Sequence, residues 1–207
     1  MHLAVFGATG RVGRRFVEYA LAEGHTIRAL VRDPAALETR PGLELVQGNV
    51  LALDDVTHTV TGADAVVSAL GGAGVEAPGD AQSQGMRNIV SAMHRCGVTR
   101  VLGVAGGGIL NAPNGGLRQD QPTFPAVFRK VSAKHKEAWQ AMHDGNVDYT
   151  MVATGDIVPG TRTGVYRIVE DYLPEGGRTI SVEDVADFLL RALTRGLHLR
   201  KRVGAGY

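Results

Sequence analysis

The chain has 207 residues, 44% hydrophobic and 21% charged, which suits one globular domain with a full hydrophobic core. Its 22 basic and 21 acidic residues leave a net charge of +1, so composition argues for neither a nucleic-acid nor a membrane-surface partner. No apolar stretch approaches membrane-spanning length and no leader pattern precedes the first strand pattern, so the expected location is cytoplasmic.

Residues 2–6 read as a short buried strand. Arg11 to Glu23 carries Val12, Phe16, Val17, Ala20 and Leu21 at helical spacing, and Gly24 stops it. A second strand spans 26–32, and Asp33-Pro34 reads as an N-cap and first helical residue. Strand 43–48 follows, then a short helix opened by Asp54 that ends near Gly62. Strand 64–70 leads into the glycine-rich loop GGAGVEAPGD. The pattern from Gln82 to Cys96 predicts a helix with Met86, Ile89, Val90 and Met93 on one face. Its single cysteine, Cys96, excludes an internal disulfide and reads as a small buried hydrophobe. Strand 100–105, a helix near 126–144 and strand 148–153 continue the alternation. Segment 154–177 reads as irregular. Ser181 caps a last helix to about Thr194, with Asp184 in the capping-box position, and the VGAGY tail offers a final strand. The run Arg200, Lys201, Arg202 reads as a solvated strand edge.

Strand–helix alternation with short apolar strands predicts α/β architecture: a doubly wound parallel sheet of the Rossmann type, in a single domain spanning 1–207. In such sheets ligands sit beyond the carboxyl ends of the strands. The loops after residues 6, 32, 70, 105 and 153 should therefore converge on one crevice. Segments 109–125 and 154–177 are long for connections in a compact domain and read as substrate loops.

GATGRVG follows the first strand and opens the first helix, the context that gives a glycine motif meaning. Gly7 permits the tight turn, Gly10 lets backbone approach a pyrophosphate, and Gly13 lets the helix pack closely on the sheet. The expected ligand is a dinucleotide seated on the helix N-terminus. Where an NAD enzyme places a carboxylate, at the end of the second strand, this chain has Arg32, and Arg11 lies inside the glycine turn. Two guanidinium groups suit a 2′-phosphate, so NADP(H) is expected over NAD(H). Asp33 competes for the ribose but is better used as a cap.

GATGRVG, LVRD, GNV, VVSALG, SQGMRNIVSAM and VDYTMV together resemble an atypical short-chain dehydrogenase/reductase, over nearly the whole chain. Within that superfamily the chain is most similar to the biliverdin reductase B or flavin reductase branch. The resemblance implies that Gly10, Arg11, Arg32, Val50, Ala69, Leu70 and Gly71 hold adenine, ribose and phosphates. With Gly7, Thr9, Val12, Gly13, Ala105 and Gly106 they form the expected cofactor site. Asn49 stands where relatives commonly have Asp, and keeps an adenine-amide contact available.

None of the five tyrosines has Lys four residues later, which argues against the alcohol-dehydrogenase mechanism of ordinary short-chain enzymes. The resembled branch lacks that pair too and works by placing nicotinamide against a planar acceptor. That branch often has Ser after the fifth strand, whereas this chain has Gly106, followed by Gly107 and Gly108, which would let a flat ring lie close to the backbone. His135 aligns with a His that replaces the usual Lys; a surface histidine between Lys134 and Lys136 is the other reading. Asp156 aligns where biliverdin-reducing relatives have His, and either orients a carboxamide or water or caps a turn. His135 and Asp156 are the candidate catalytic pair, and no metal site is expected. Trp139 and Phe128 read as packing residues. Arg118, Arg129, Arg162 and Arg167 either bind an anionic substituent of the substrate or are surface charge. The expected activity is NADPH-dependent hydride transfer to a small planar flavin, quinone or tetrapyrrole, by a monomer or weak dimer. A non-catalytic NADP(H) sensor and a carbonyl reductase or isomerase are the competing readings.

Overall fold

A computed structural model describes every residue except Ala73, which lies in the glycine-rich loop 71–80. The chain order is β1 (His2–Phe6), α1 (Arg11–Ala22), β2 (Thr26–Val31), β3 (Leu43–Gln47), α2 (Leu53–Val60), β4 (Ala65–Ser68), α3 (Ser83–Cys96) and β5 (Arg100–Gly106). It continues with α4 (Arg129–Asp144), β6 (Asp148–Thr154), β7 (Asp156–Val158), β8 (Arg167–Glu170), β9 (Thr179–Ser181), α5 (Val182–Thr194) and β10 (Lys201–Gly206).

The main sheet runs β3-β2-β1-β4-β5-β6-β10-β8. Every pairing in it is parallel except β10 with β8. Alternation along β1 shows why both faces are covered. Leu3 and Val5 join one core with Phe16 of α1 and Phe188 of α5, while Ala4 and Phe6 join the other with Val56, Ile89 and Met142 of α2, α3 and α4. Strand order reverses between β1 and β4, and the carboxyl ends of those strands open the ligand crevice of a doubly wound fold.

Five expectations need correction. Segment 154–177 is not wholly irregular, since it contains β7, paired with β9, and β8 on the sheet edge. These strands are three and four residues long, too short to show a period. Asp33 does cap Pro34, but the helix it opens is a single 3₁₀ turn over Pro34–Ala36. The basic run near 200–202 is solvated only in part, with Arg200 and Lys201 exposed and Arg202 not. β10 lies between β6 and β8, and Arg202 is buried, paired with Asp171 at 3.0 Å, bonded to the Ile109 carbonyl and stacked 4.2 Å over Trp139. Cys96 is only partly buried, at the end of α3.

Ser181 caps α5 by accepting from the Asp184 amide at 2.9 Å. Asp184 does not complete a capping box. Its buried carboxylate accepts from the Thr163 and Gly164 amides and the Thr163 and Tyr207 hydroxyls, fastening the 161–166 loop and the C-terminal residue to α5. Burial alone would raise this carboxyl, but those bonds outweigh it and hold it below the usual carboxylate range.

Candidate functional site

A cavity of about 800 Å³ lies at the carboxyl end of the sheet. The turn after β1 supplies Gly10, Arg11 and Val12, and the exit of β4 supplies Ala69, Leu70 and Gly71. The exit of β5 supplies Ala105 and Gly106, and the exit of β6 supplies Asp156. One face of α4 closes the wall with Val131, Ser132 and His135, joined by Phe128 just before the helix. Four of the five expected loops thus meet. The fifth, after β2, does not reach the cavity. Arg32, Asn49 and Val50 lie outside its lining, as do Gly7, Thr9 and Gly13.

Each motif glycine answers to a different neighbour. A Cβ on Gly7, whose φ is +82°, would strike the Ala69 carbonyl, and one on Gly13 would strike the Gly7 carbonyl. Both are packing requirements. On Gly10, which lines the cavity, a Cβ would press on the Gly7 carbonyl at 3.2 Å and make ordinary contact with the Ala69 carbonyl at 3.8 Å. Gly10 caps α1 without a side-chain bond, and the first turn holds no acidic residue. Its unpaired N–H groups and positive dipole end therefore face the cavity, and the site fits a pyrophosphate.

Arg11 and Arg32 do not form the expected pair. Arg11 donates from Nη1 to the Ile157 carbonyl at 3.0 Å, across the cavity mouth. Arg14, which sequence reasoning passed over, instead reaches the loop after β2, bonding the Ala36 carbonyl at 3.1 Å. Arg32 is exposed on that loop. Asn49 uses its side-chain oxygen on the Leu51 amide at 3.0 Å, which leaves its amide nitrogen for a ligand.

His135 is not a surface histidine. Its Nδ1 accepts from the Gly106 amide at 3.1 Å, and its Nε2 lies 2.6 Å from the Gln82 carboxamide. Burial holds its pKa down at about 4, so the ring is neutral at physiological pH. With Nδ1 accepting, the ring proton sits on Nε2, and proton balance turns the Gln82 oxygen toward it. With the nitrogen toward the ring instead, the carboxamide also donates to the Leu70 carbonyl at 3.3 Å and leaves its oxygen buried at the cavity wall without a protein partner. Gln82 was missed because a polar residue at a helix start reads as a cap.

Gly106, Gly107 and Gly108 all line the cavity, and each also packs closely on the side where a side chain would stand. A Cβ on Gly106 would press on the His135 ring at 3.3 Å, one on Gly107 would meet the Thr154 carbonyl at 3.0 Å, and one on Gly108 would strike Ser132 Oγ. The imidazole takes the space that a serine side chain at 106 would need. Trp139 is a packing residue, donating to the Tyr149 hydroxyl at 3.2 Å. Phe128 is not: it is exposed and lines the cavity with Phe124 and Pro125.

Residues 7–196 match the model of the NAD(P)H-binding family. A chloroplastic, uncharacterized protein of Arabidopsis thaliana is 30% identical over 199 residues, covering 91% of this chain and 70% of that one. Among solved structures, an exported-protein candidate from Burkholderia pseudomallei is 27% identical, with a TM-score of 0.86 and all of both chains covered. A candidate NADH-flavin reductase from Streptococcus pneumoniae is 25% identical, with a TM-score of 0.82 over 100% of this chain and 99% of that one.

Proposed function

The chain belongs to the NAD(P)H-binding family, and from that premise we propose that it is an NADPH-dependent reductase acting on a small planar acceptor such as a flavin, quinone or tetrapyrrole. The observation that carries this reading is one cavity joining the uncapped N-terminus of α1 to an apolar pocket lined by Phe124, Phe128, Val131 and Leu173. A bound reduced nicotinamide supplies the hydride.

The chain's own residues then do the rest. The α1 amides bind the pyrophosphate, and the absent side chain at Gly10 leaves room for it. Arg32, with Arg14 anchored in the same loop, supplies the cationic surroundings that a 2′-phosphate favours. The apolar wall excludes water and holds a flat ring in place, so catalysis is proximity and orientation. His135 is a positioning residue, because a neutral ring bonded to Gly106 and Gln82 has no proton to give at physiological pH. Asp156, exposed at the cavity, contacts solvent and can pass a water-derived proton toward the acceptor.

The lack of a committed proton donor favours one second reading, a protein that binds NADP(H) and reports it. Steady-state oxidation of NADPH and NADH against FMN, riboflavin, a naphthoquinone and biliverdin separates the two. Turnover with at least one planar acceptor, faster with NADPH, is expected. Tight NADPH binding with none turned over would establish the sensor. We further propose a cytoplasmic monomer or weak dimer, which sedimentation at micromolar concentration would check. Among the described residues no helix is long and apolar enough to cross a membrane.

A further inference from the structure

Arg11, Arg118 and the other arginines of the loop segments differ in what they already hold. Arg129 donates to the carbonyls of Gln119, Gln121 and Phe124. Arg162 pairs with Asp187 at 2.7 Å, Arg167 bonds the Tyr207 carbonyl, and Arg11 bonds Ile157. Arg118 is different. Among the described residues its guanidinium has no ion pair and no hydrogen bond, and its Nε is buried without a partner. An unpaired, partly desolvated guanidinium is costly unless a ligand completes it.

Its position tells what kind of ligand. Arg118 lines the main cavity and also a second cavity of about 820 Å³, and the two share Pro125, Gly155, Asp156 and Leu173 as a common wall. Its loop is fixed in advance. The Arg118 amide donates to Leu110 at 2.8 Å, Gln121 Nε2 bonds the Gly115 carbonyl at 2.9 Å, and Arg129 ties the segment to α4. The fixed backbone brings the side chain to the cavity wall, and the guanidinium presents a planar fork suited to two oxygens.

We propose that Arg118 anchors an acidic substituent, carboxylate or phosphate, of the acceptor, whose planar body lies in the main cavity and whose charged arm points toward the second. The inference rests on the reductase reading for the identity of the acceptor and names its chemical class. Asp156 faces the same wall, so it disfavours a second acid beside it and suits a ring N–H instead. Arg178 adds positive charge to the second cavity, and Glu175 opposes it.

The test compares ligands that differ only in the acid. FMN and riboflavin share one ring system, and biliverdin and its dimethyl ester share another. Each is titrated by fluorescence or absorbance into the protein saturated with NADP⁺, for wild type and Arg118→Gln. The acid member of at least one pair should bind about tenfold or more tightly, and Arg118→Gln should abolish that preference while leaving the neutral member unchanged. The melting temperature should not fall, since Arg118 holds nothing in the protein. Equal affinity within both pairs, no binding by any of the four, or equal loss for acid and neutral members would overturn the proposal. Acid-selective binding without NADPH oxidation would sink the reductase reading and leave this one standing. Turnover indifferent to the acid would do the reverse.

Discussion

His135 Nδ1 accepts a hydrogen bond from the Gly106 amide at 3.1 Å, which ties the middle of α4 to the last residue of β5. A departure from the resembled branch and a histidine that the resemblance shares thereby become one feature. Glycine replaces serine at 106, and the space it leaves is filled by the ring of His135. The contact needs the imidazole neutral, because protonated Nδ1 could not accept.

Stability should therefore depend on His135 in mildly acidic solution. Its pKa falls from 6.5 to about 4 on folding, so the unfolded chain takes up the proton first. The contribution is fully present above about pH 6.5 and is lost as pH falls toward 4, up to about 3 kcal/mol in all. Denaturant midpoints between pH 7 and 4 should fall for wild type and fall much less for His135→Gln. Parallel curves would show that the ring titrates normally.

Gly10→Val should remove dinucleotide binding and leave a cooperative fold within about 1 kcal/mol of wild type. The added branches enter the cavity and meet only the Gly7 carbonyl closely within the protein. Calorimetric titration with NADPH beside a thermal melt reads both. Retained micromolar affinity would make the turn a purely structural device.

Arg32→Glu should weaken NADPH by about 2–4 kcal/mol and NADH far less, since it loses a charge-assisted bond to a 2′-phosphate and gains a repulsion. Equal losses for both cofactors would remove Arg32 from 2′-phosphate recognition and turn attention to Arg14.

Asp184→Ala should destabilise by about 2–4 kcal/mol, because four donors from Thr163, Gly164 and Tyr207 lose their acceptor in a buried site. Asp184 also sits below the usual carboxylate range, so its contribution is present above about pH 4 and fades only as pH drops through the lowered folded value. A urea series at neutral pH measures the first effect. A change under about 0.5 kcal/mol would mean the loop and C-terminal residue are not fastened through Asp184.

The parallel sheet was legible because its strands are short apolar runs between amphipathic helices, as in LAVF before the α1 pattern of Val12, Phe16 and Val17. The glycine turn was legible for the same reason, a motif in its structural context. What sequence could not show was partnership. Arg11 and Arg118 are both arginines in loops, yet one is spent on the Ile157 carbonyl and the other is unpaired. His135 between two lysines gave no sign of facing inward, because its helix is only weakly apolar and its burial depends on Gly106 across the cavity. Arg202 was misread because a single basic residue can be buried wherever an acid and an aromatic ring meet it, here Asp171 and Trp139.

The central claim is that this cavity transfers a hydride, and a single-turnover experiment tests it most directly. Protein at a concentration above its ligands is mixed anaerobically with one equivalent each of NADPH and FMN, and both absorbance bands are followed. The account predicts that they fall together, one NADPH consumed with one proton for each FMN reduced to the dihydroflavin, and that Gly10→Val abolishes the signal. NADPH bound at full occupancy while both bands persist, with FMN and then with a naphthoquinone or biliverdin, would contradict it.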